Sequence, residues 1–418
     1  MPEEKNNINR RNFLKTVAAA GAGSAFLPGK LLAEQKDPNV ADAKIVDPNA
    51  LKKPKKPPIP MRKFGKFKYK VPIYSLGLMF NVLDKMIVLR KSIQLGVTFW
   101  DTANNYAGGN SEIAVGKFFT QNPKLRKKII LTTKASGARS TDNVEQKLQL
   151  SLKRMNTDYI DIYYGVHAIR RPGQLTDDLR KWAEDAKKRK LIKFFGFTTH
   201  ANTDCLLAAA KTDWIDVIMT NYNFRLMQKP EMQDAIQACY EKGIALIAMK
   251  TLAHKVENDK DKELIEYFTK KGYTEAQAKI KAVLQDKRFC TACVGIGSGN
   301  IEHLILDVDA VKDKNKLSKK DLAFLADYAQ KTCDGYCPGC SQICSKAVPD
   351  MPYIAEIMRY LMYYNSYGQQ KEARELFAKI PGTVRNKLLS IDYSLAEARC
   401  PQHLPIGKLV AEAVGKLA

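Results

Sequence analysis

The sequence lacks a glycine-rich turn after its first strand-like segment: Leu76-Gly-Leu-Met-Phe-Asn81 stands there instead. That absence tells against an open doubly wound sheet, which needs such a turn to seat a dinucleotide. Its apolar run near the N-terminus, Thr16 to Pro28, is too short and too rich in Ala and Gly to span a bilayer. No nucleic-acid-reading motif accompanies the formal net charge of +24. Basic residues without a reader fold support only non-specific contact, so no specific nucleic-acid partner is expected. Cysteine is scarce until late: of nine, five fall after residue 330, which points to one local site. What remains, 418 residues at 45% hydrophobic and 27% charged, is the composition of a folded chain with room for one large domain and a smaller one.

Residues 1–33 carry Asn9-Arg-Arg-Asn-Phe-Leu-Lys15 and then a stretch without charge from Thr16 to Gly29. Paired arginines before Phe-Leu-Lys and a weakly apolar run resemble a bacterial twin-arginine signal. The expectation is export through the Tat machinery to the periplasm or beyond. Cleavage after Leu31-Leu-Ala33 fits the small-x-small rule poorly. Residues 34–60 are Lys- and Pro-rich and read as a linker.

From residue 61 to 312, apolar runs alternate with amphipathic segments. Strands are expected at Ile73 to Met79, Val97 to Trp100, Lys128 to Thr133, Tyr159 to Val166, Ile192 to Phe197, Ile215 to Thr220, Ile244 to Met249 and Thr291 to Ile296. Val144, Leu148, Leu152 and Met155 recur at helical spacing behind a capping run that starts at Ser140. Eight strands, each followed by a helix, predict an α/β fold, a (β/α)8 TIM barrel, with Lys63 to Val71 as a hairpin on its floor. Residues 313–418 predict an appended α-helical, cysteine-rich module.

Asp101 and Tyr106 follow the second strand, Lys134 the third and His167 the fourth. In a barrel these positions converge on one mouth. A free tyrosine titrates near ~10, and an adjacent ammonium is expected to lower that value, with Asp101 as the ammonium's partner. A nearby imidazole can bond the same phenol or orient a carbonyl oxygen. Such a tyrosine acts as a general acid for carbonyl reduction, an effect worth roughly 10²–10⁴ in rate.

Phe99-Trp-Asp-Thr-Ala-Asn-Asn-Tyr106, Asn110-Ser-Glu112, Leu131-Thr-Thr-Lys134, Asp161-Ile-Tyr-Tyr-Gly-Val-His167 and Gly196-Phe-Thr-Thr-His200 together resemble the aldo/keto reductases, from about Arg62 to Val311. The resemblance implies NADPH or NADH across the mouth, a small carbonyl or alcohol substrate, Tyr106 as acid, Lys134 and His167 as its tuners, and Asp101 as the lysine's partner. It places the nicotinamide near Thr198, Thr199, Tyr222 and Lys250. The phosphates fall near Gly297, Ser298 and Asn300, without the arginine that usually grips a 2′-phosphate.

Cys333, Cys337, Cys340, Cys344 and Cys400 leave several readings open. They resemble the ferredoxin-like tails of some aldo/keto reductases, which implies an iron–sulfur cluster of 4Fe–4S type and an electron-transfer partner. Structural zinc and disulfides are the alternatives. Cys205, Cys239, Cys290 and Cys293 read as small apolar residues of the barrel. Because free NADPH is not expected outside the cytoplasm, a barrel-derived electron-transfer or binding protein with a degenerate nicotinamide site is the alternative function.

Overall fold

The computed structural model describes residues 57–253, 259–297, 299–332, 336–366, 369–400 and 402–418. The signal segment, the linker up to residue 56, Ser298 and Cys333 lie outside the described residues. Residues 45–418 form one compact unit.

A short antiparallel hairpin, β1 (Met61–Lys63) and β2 (Lys70–Pro72), comes first. Eight parallel strands follow: β3 (Tyr74–Gly77), β4 (Phe99–Asp101), β5 (Ile130–Lys134), β6 (Ile160–Val166), β7 (Ile192–Thr199), β8 (Val217–Asn221), β9 (Ala245–Met249) and β10 (Phe289–Gly295). They pair in chain order, and β10 pairs back onto β3, so the sheet is closed. All eight expected strands are present. Closure buries both faces, which is why the strands read as nearly continuous apolar runs. Ile162 and Tyr164 point into the barrel while Tyr163 between them packs under the helices, and Val217, Ile218 and Met219 repeat the alternation.

The hairpin closes the floor as expected. Phe64 joins the interior core, with Phe194 4.8 Å away, and Arg62 donates to the main-chain oxygens of Asp286 (3.2 Å), Phe289 (2.7 Å) and Leu284. Gly65 makes this approach feasible: at φ 54°, a Cβ there would lie 2.4 Å from the Gly243 oxygen.

Helix starts are set by local capping. Ser140 accepts from the Asn143 N–H at the head of Thr141–Arg154, the helix expected there. Ser318 and Asp321 form a capping box on Lys319–Lys331. That last helix belongs to the barrel wall: Phe324 stacks on Tyr267 at 3.9 Å, in a cluster with Leu264, Phe268 and Ala278.

The remaining helices, among them Ser341–Ala347, Ile354–Ser366, Gln370–Ala378 and Ile406–Leu417, share a core of their own from Ala347 to Leu417. This module lies across the carboxyl-end loops of the barrel. Asn221 donates to the Pro338 oxygen (2.7 Å), Asn223 to the Tyr336 hydroxyl (3.0 Å) and Gln369 to the Met79 oxygen (2.8 Å). Arg170 pairs with Glu356 at 2.8 Å.

Candidate active site

Asp101 ends β4 and Lys134 ends β5, so neighbouring strands deliver both side chains to the same mouth. The Lys134 ammonium lies 2.6 Å from Asp101 Oδ2 and donates to the Thr102 oxygen at 2.7 Å. Thr132 donates to Asp101 Oδ1 at 2.5 Å. Lys134 is 1% exposed and Asp101 3%, so each charge depends on the other in a place with little water.

Tyr106 opens a turn in which Ala107, Gly108 and Gly109 all take positive φ, which swings the ring back over the pair. The Lys134 ammonium sits 4.8 Å from the Tyr106 ring centroid, on the face of the ring. His167, one residue beyond β6, presents its ring edge-on to Tyr106 at 6.4 Å. Buried Glu112 braces the loop: it accepts from Thr133 at 2.6 Å and from Arg154 at 3.3 Å, and Arg154 also donates to the Asn104 oxygen at 2.7 Å.

One expectation is reversed. Tyr106 is raised well above the ordinary tyrosine range, first by burial and then by the charge of Asp101. The lysine's charge is already matched by its carboxylate at 2.6 Å, so the phenol meets a nearly neutral pair and little water. It therefore keeps its proton at neutral pH. His167 is pushed well below its usual value by burial, Lys134 and Arg359, and stays neutral.

Ser136 was not singled out by the sequence. Its hydroxyl is 2.6 Å from His167 Nδ1 and donates to Asn105 Oδ1 at 2.7 Å, holding the imidazole in place. Its only signal is its place two residues beyond Lys134 in the same loop.

The residues expected around the nicotinamide are only partly brought together. Thr198 and Thr199 are fully buried; Thr198 accepts from the Ala168 N–H (2.7 Å) and Thr199 from the Asn202 N–H (3.3 Å), so both hydroxyls hold loops. Tyr222 turns into the helical layer, where its ring stacks on Phe289 at 4.3 Å and its hydroxyl donates to Asp286 at 2.6 Å. Lys250, just past β9, does face the mouth, with its ammonium 5.0 Å from the Tyr363 ring of the appended module. Two buried polar atoms beside it, Asn221 Oδ1 and Thr251 Oγ1, have no hydrogen-bond partner. At the other end, exposed Gly297 (φ 61°) leads into the helix Ile301–Lys312, which Asn300 caps by accepting from the Glu302 N–H at 2.8 Å.

Cys337, Cys340, Cys344 and Cys400 are free thiols, each half-buried, and the barrel cysteines Cys205, Cys239, Cys290 and Cys293 are free and buried. Disulfides are thus not formed among the described residues. Cys337, Cys340 and Cys344 each feel the charge of Cys400; Cys340 also feels Cys337 and Cys344, and Cys344 feels Cys337, so the four lie in one region. Burial comes first in raising these thiols, Cys337 to about 11 and Cys344 to about 12. Among the described residues, no group of three or more His, Cys, Asp or Glu is placed to hold a metal ion.

A model of the twin-arginine translocation signal matches residues 7–26, so the chain carries a signal for export by that pathway. Among the described residues, no helix is long and apolar enough to cross a membrane. The solved aldo-keto reductase AKR11C1 from Bacillus halodurans, in its holo form, superposes with a TM-score of 0.54 at 20% identity, over 65% of this chain and 96% of that one. The thermostable aldo-keto reductase Tm1743, in complex with the inhibitor epalrestat, gives 0.55 at 21% identity, over 64% and 99%. These show the shared barrel. The aldo-keto reductase yakc [NADP(+)] of Schizosaccharomyces pombe is 31% identical over 181 residues, 40% of this chain and 51% of its own. The aldo-keto reductase AFTS1 of Alternaria alternata is 24% identical over 205 residues, 41% and 56%. The chain spans about half the length of these curated relatives. The model of the aldo/keto reductase family matches residues 81–323, more than half of the chain and all four of Asp101, Tyr106, Lys134 and His167: the chain belongs to the aldo/keto reductase family.

Proposed function

We propose that this protein is an exported, nicotinamide-dependent aldo/keto reductase that reduces a small aldehyde or ketone, or oxidises the corresponding alcohol, with Tyr106 as general acid and base. The observation that carries the reading is the buried Asp101–Lys134 pair beneath the Tyr106 ring, with His167 edge-on to it. When bound, the nicotinamide supplies or accepts the hydride at the carbonyl carbon. The chain's own part is the proton. Tyr106 gives it to the carbonyl oxygen, neutral His167 walls the site edge-on to the phenol, and Lys134 stays fixed by Asp101.

Residues for the dinucleotide are present at both ends. The start of Ile301–Lys312, with open glycine backbone at Gly297, suits phosphate oxygens. Unpartnered Asn221 Oδ1 and Thr251 Oγ1 suit an amide.

The same reading assigns Cys337, Cys340, Cys344 and Cys400, with Cys333 as a further ligand, to an iron–sulfur cluster of 4Fe–4S type that would pass single electrons to a partner. What supports it is four unbridged thiols whose charges reach one another; as they stand, no three of the described residues are grouped closely enough to hold a metal ion, so a cluster would have to draw them together. A purified protein without visible absorbance, iron or sulfide would end that part.

A second reading, a barrel-derived electron-transfer or binding protein, is favoured by a separate observation. The Pro338–Ser341 segment packs against Asn202 and Asn221, close to where the nicotinamide is expected. Titration with NADPH and NADH separates the two, since binding of neither would support the second.

The decisive variant is Tyr106→Phe. It is expected to lower turnover of an aldehyde by roughly 10²–10⁴ with folding unchanged. Unchanged turnover would overturn the acid role.

A further inference from the structure

Lys250 stands just after β9 and Arg359 on the module helix Ile354–Ser366, which also carries Tyr363, a neighbour of both Lys250 and Tyr106. Arg359 bonds to His200 Nδ1 at 3.2 Å, and Lys250 faces Tyr363. Burial first, and then the charge of Arg359, lowers the Lys250 ammonium to about 7, and the Arg359 charge also reaches His167 and His200. Tyr106, His167, His200, Lys250 and Arg359 are each walled by protein yet keep part of their surface open to water. Ring contacts, a hydrogen bond and charge effects link them as neighbours in a crevice on the mouth side.

Neither cation has a carboxylate at ion-pair distance among the described residues. Asp101 is held by Lys134 at 2.6 Å, and Glu356, whose charge also reaches Arg359, is in ion-pair contact with Arg170 at 2.8 Å. Glu372 faces the Tyr106 side, and the Cys337 thiol borders Lys250. Two part-buried cations facing one another repel, and an anion set between them would relieve that repulsion.

Backbone strain marks the same rim. Lys250 itself has φ 54°, and Ala107, Ala168 and Ala201, each directly after Tyr106, His167 and His200, have φ 48°, 61° and 61°. Left-handed non-glycine residues cost of order 1 kcal/mol or more and cluster where function requires them.

We propose that Lys250 and Arg359 together bind the carboxylate of the substrate, so that the preferred substrates are small aldehydes or ketones that also carry an acid group. The guanidinium fork and the ammonium grip the carboxylate from two sides, leaving the carbonyl to point inward toward Tyr106. Arg359 would then be a specificity residue supplied by the appended module and not by the barrel. The carbonyl half of this inference rests on the reductase reading; the anion half does not.

The test is calorimetric titration of the full chain as purified with 4-carboxybenzaldehyde, benzaldehyde, inorganic phosphate and NADPH, with turnover of the aldehydes followed separately. The acid aldehyde is expected to bind at least about tenfold tighter than benzaldehyde, the effect of one charge-assisted hydrogen bond. Lys250→Met and Arg359→Met should each remove that preference, and Lys250→Arg should restore much of it. Circular dichroism checks folding, and the Lys250 pair of variants decides the matter if Arg359→Met fails to fold.

Equal affinity for the two aldehydes overturns the proposal. So does a Lys250→Met protein that loses NADPH or phosphate binding but keeps the aldehyde preference, which would make the pair a grip on the dinucleotide. So does one that loses iron or alters thiol titration while the preference stays, which would assign the cations to the cysteines. A preference that survives in a protein turning over no carbonyl supports the anion site and sinks the reductase reading instead.

Discussion

Neutralising Asp101 and Lys134 one at a time and then together tests whether they act as one buried unit. At 2.6 Å and an effective dielectric of ~20 their attraction is about 6 kcal/mol, much of it offset by desolvation. Asp101→Asn leaves a 1%-exposed ammonium with one carbonyl oxygen for a partner, and Lys134→Met leaves a carboxylate with the Thr132 hydroxyl. Each single change should cost about 3–5 kcal/mol, because each strands a charge. The double variant strands none, so it should cost about 3 kcal/mol less than the sum of the two. Urea unfolding followed by tryptophan fluorescence reads this directly, since Trp100 precedes Asp101 and packs on Phe118 at 5.2 Å. If the double variant equals the sum of the singles within ~0.5 kcal/mol, the sites are independent and the coupled-pair argument is wrong. All three variants should lose turnover, because the Tyr106 ring rests on this pair.

Ser136→Ala removes the hydroxyl beside His167 Nδ1, and should lower kcat about tenfold with little change in Tm, as expected for one lost hydrogen bond at a positioning residue. An unchanged kcat with an altered Tm would make Ser136 merely structural. Asp307 is raised to about 7 by burial, with the Tyr74 hydroxyl 3.2 Å away. Its folded form binds a proton more tightly than the unfolded form. Its stabilising contribution is therefore full below the unfolded value near ~3.9 and is lost as pH rises toward 7, at about 1.4 kcal/mol per pH unit. Asp307→Asn should flatten that part of the stability curve and stabilise the protein above pH 7, and a parallel curve in urea titrations from pH 5 to 7 would refute the assignment.

Much of the barrel was legible because its determinants are local. Apolar runs of strand length, capping residues such as Ser140 and Ser318, and polar residues at strand ends are properties of neighbours in the chain, and closure then follows from eight parallel units. The same logic placed Asp101, Tyr106, Lys134 and His167 at one mouth. Strand ends moved only slightly: the strand expected over Val97 to Trp100 extends to Asp101, because that residue pairs in register with Gly77 and Thr132.

What the chain order could not reveal depends on contacts between distant segments. Tyr222 donates its hydroxyl to Asp286 in three dimensions, while Thr198 and Thr199 accept from the Ala168 and Asn202 N–H groups and keep a proton to donate. The direction of the Tyr106 shift follows from burial and from a lysine already satisfied by its acid, neither of which sequence spacing reports. The appended helices were expected, but only tertiary packing laid them over the mouth and brought Arg359 to His200, 159 positions away. Local pattern thus determined the scaffold and which polar residues stand at its mouth, whereas the electrostatics there were decided by packing, because burial and charge pairing are properties of the folded whole.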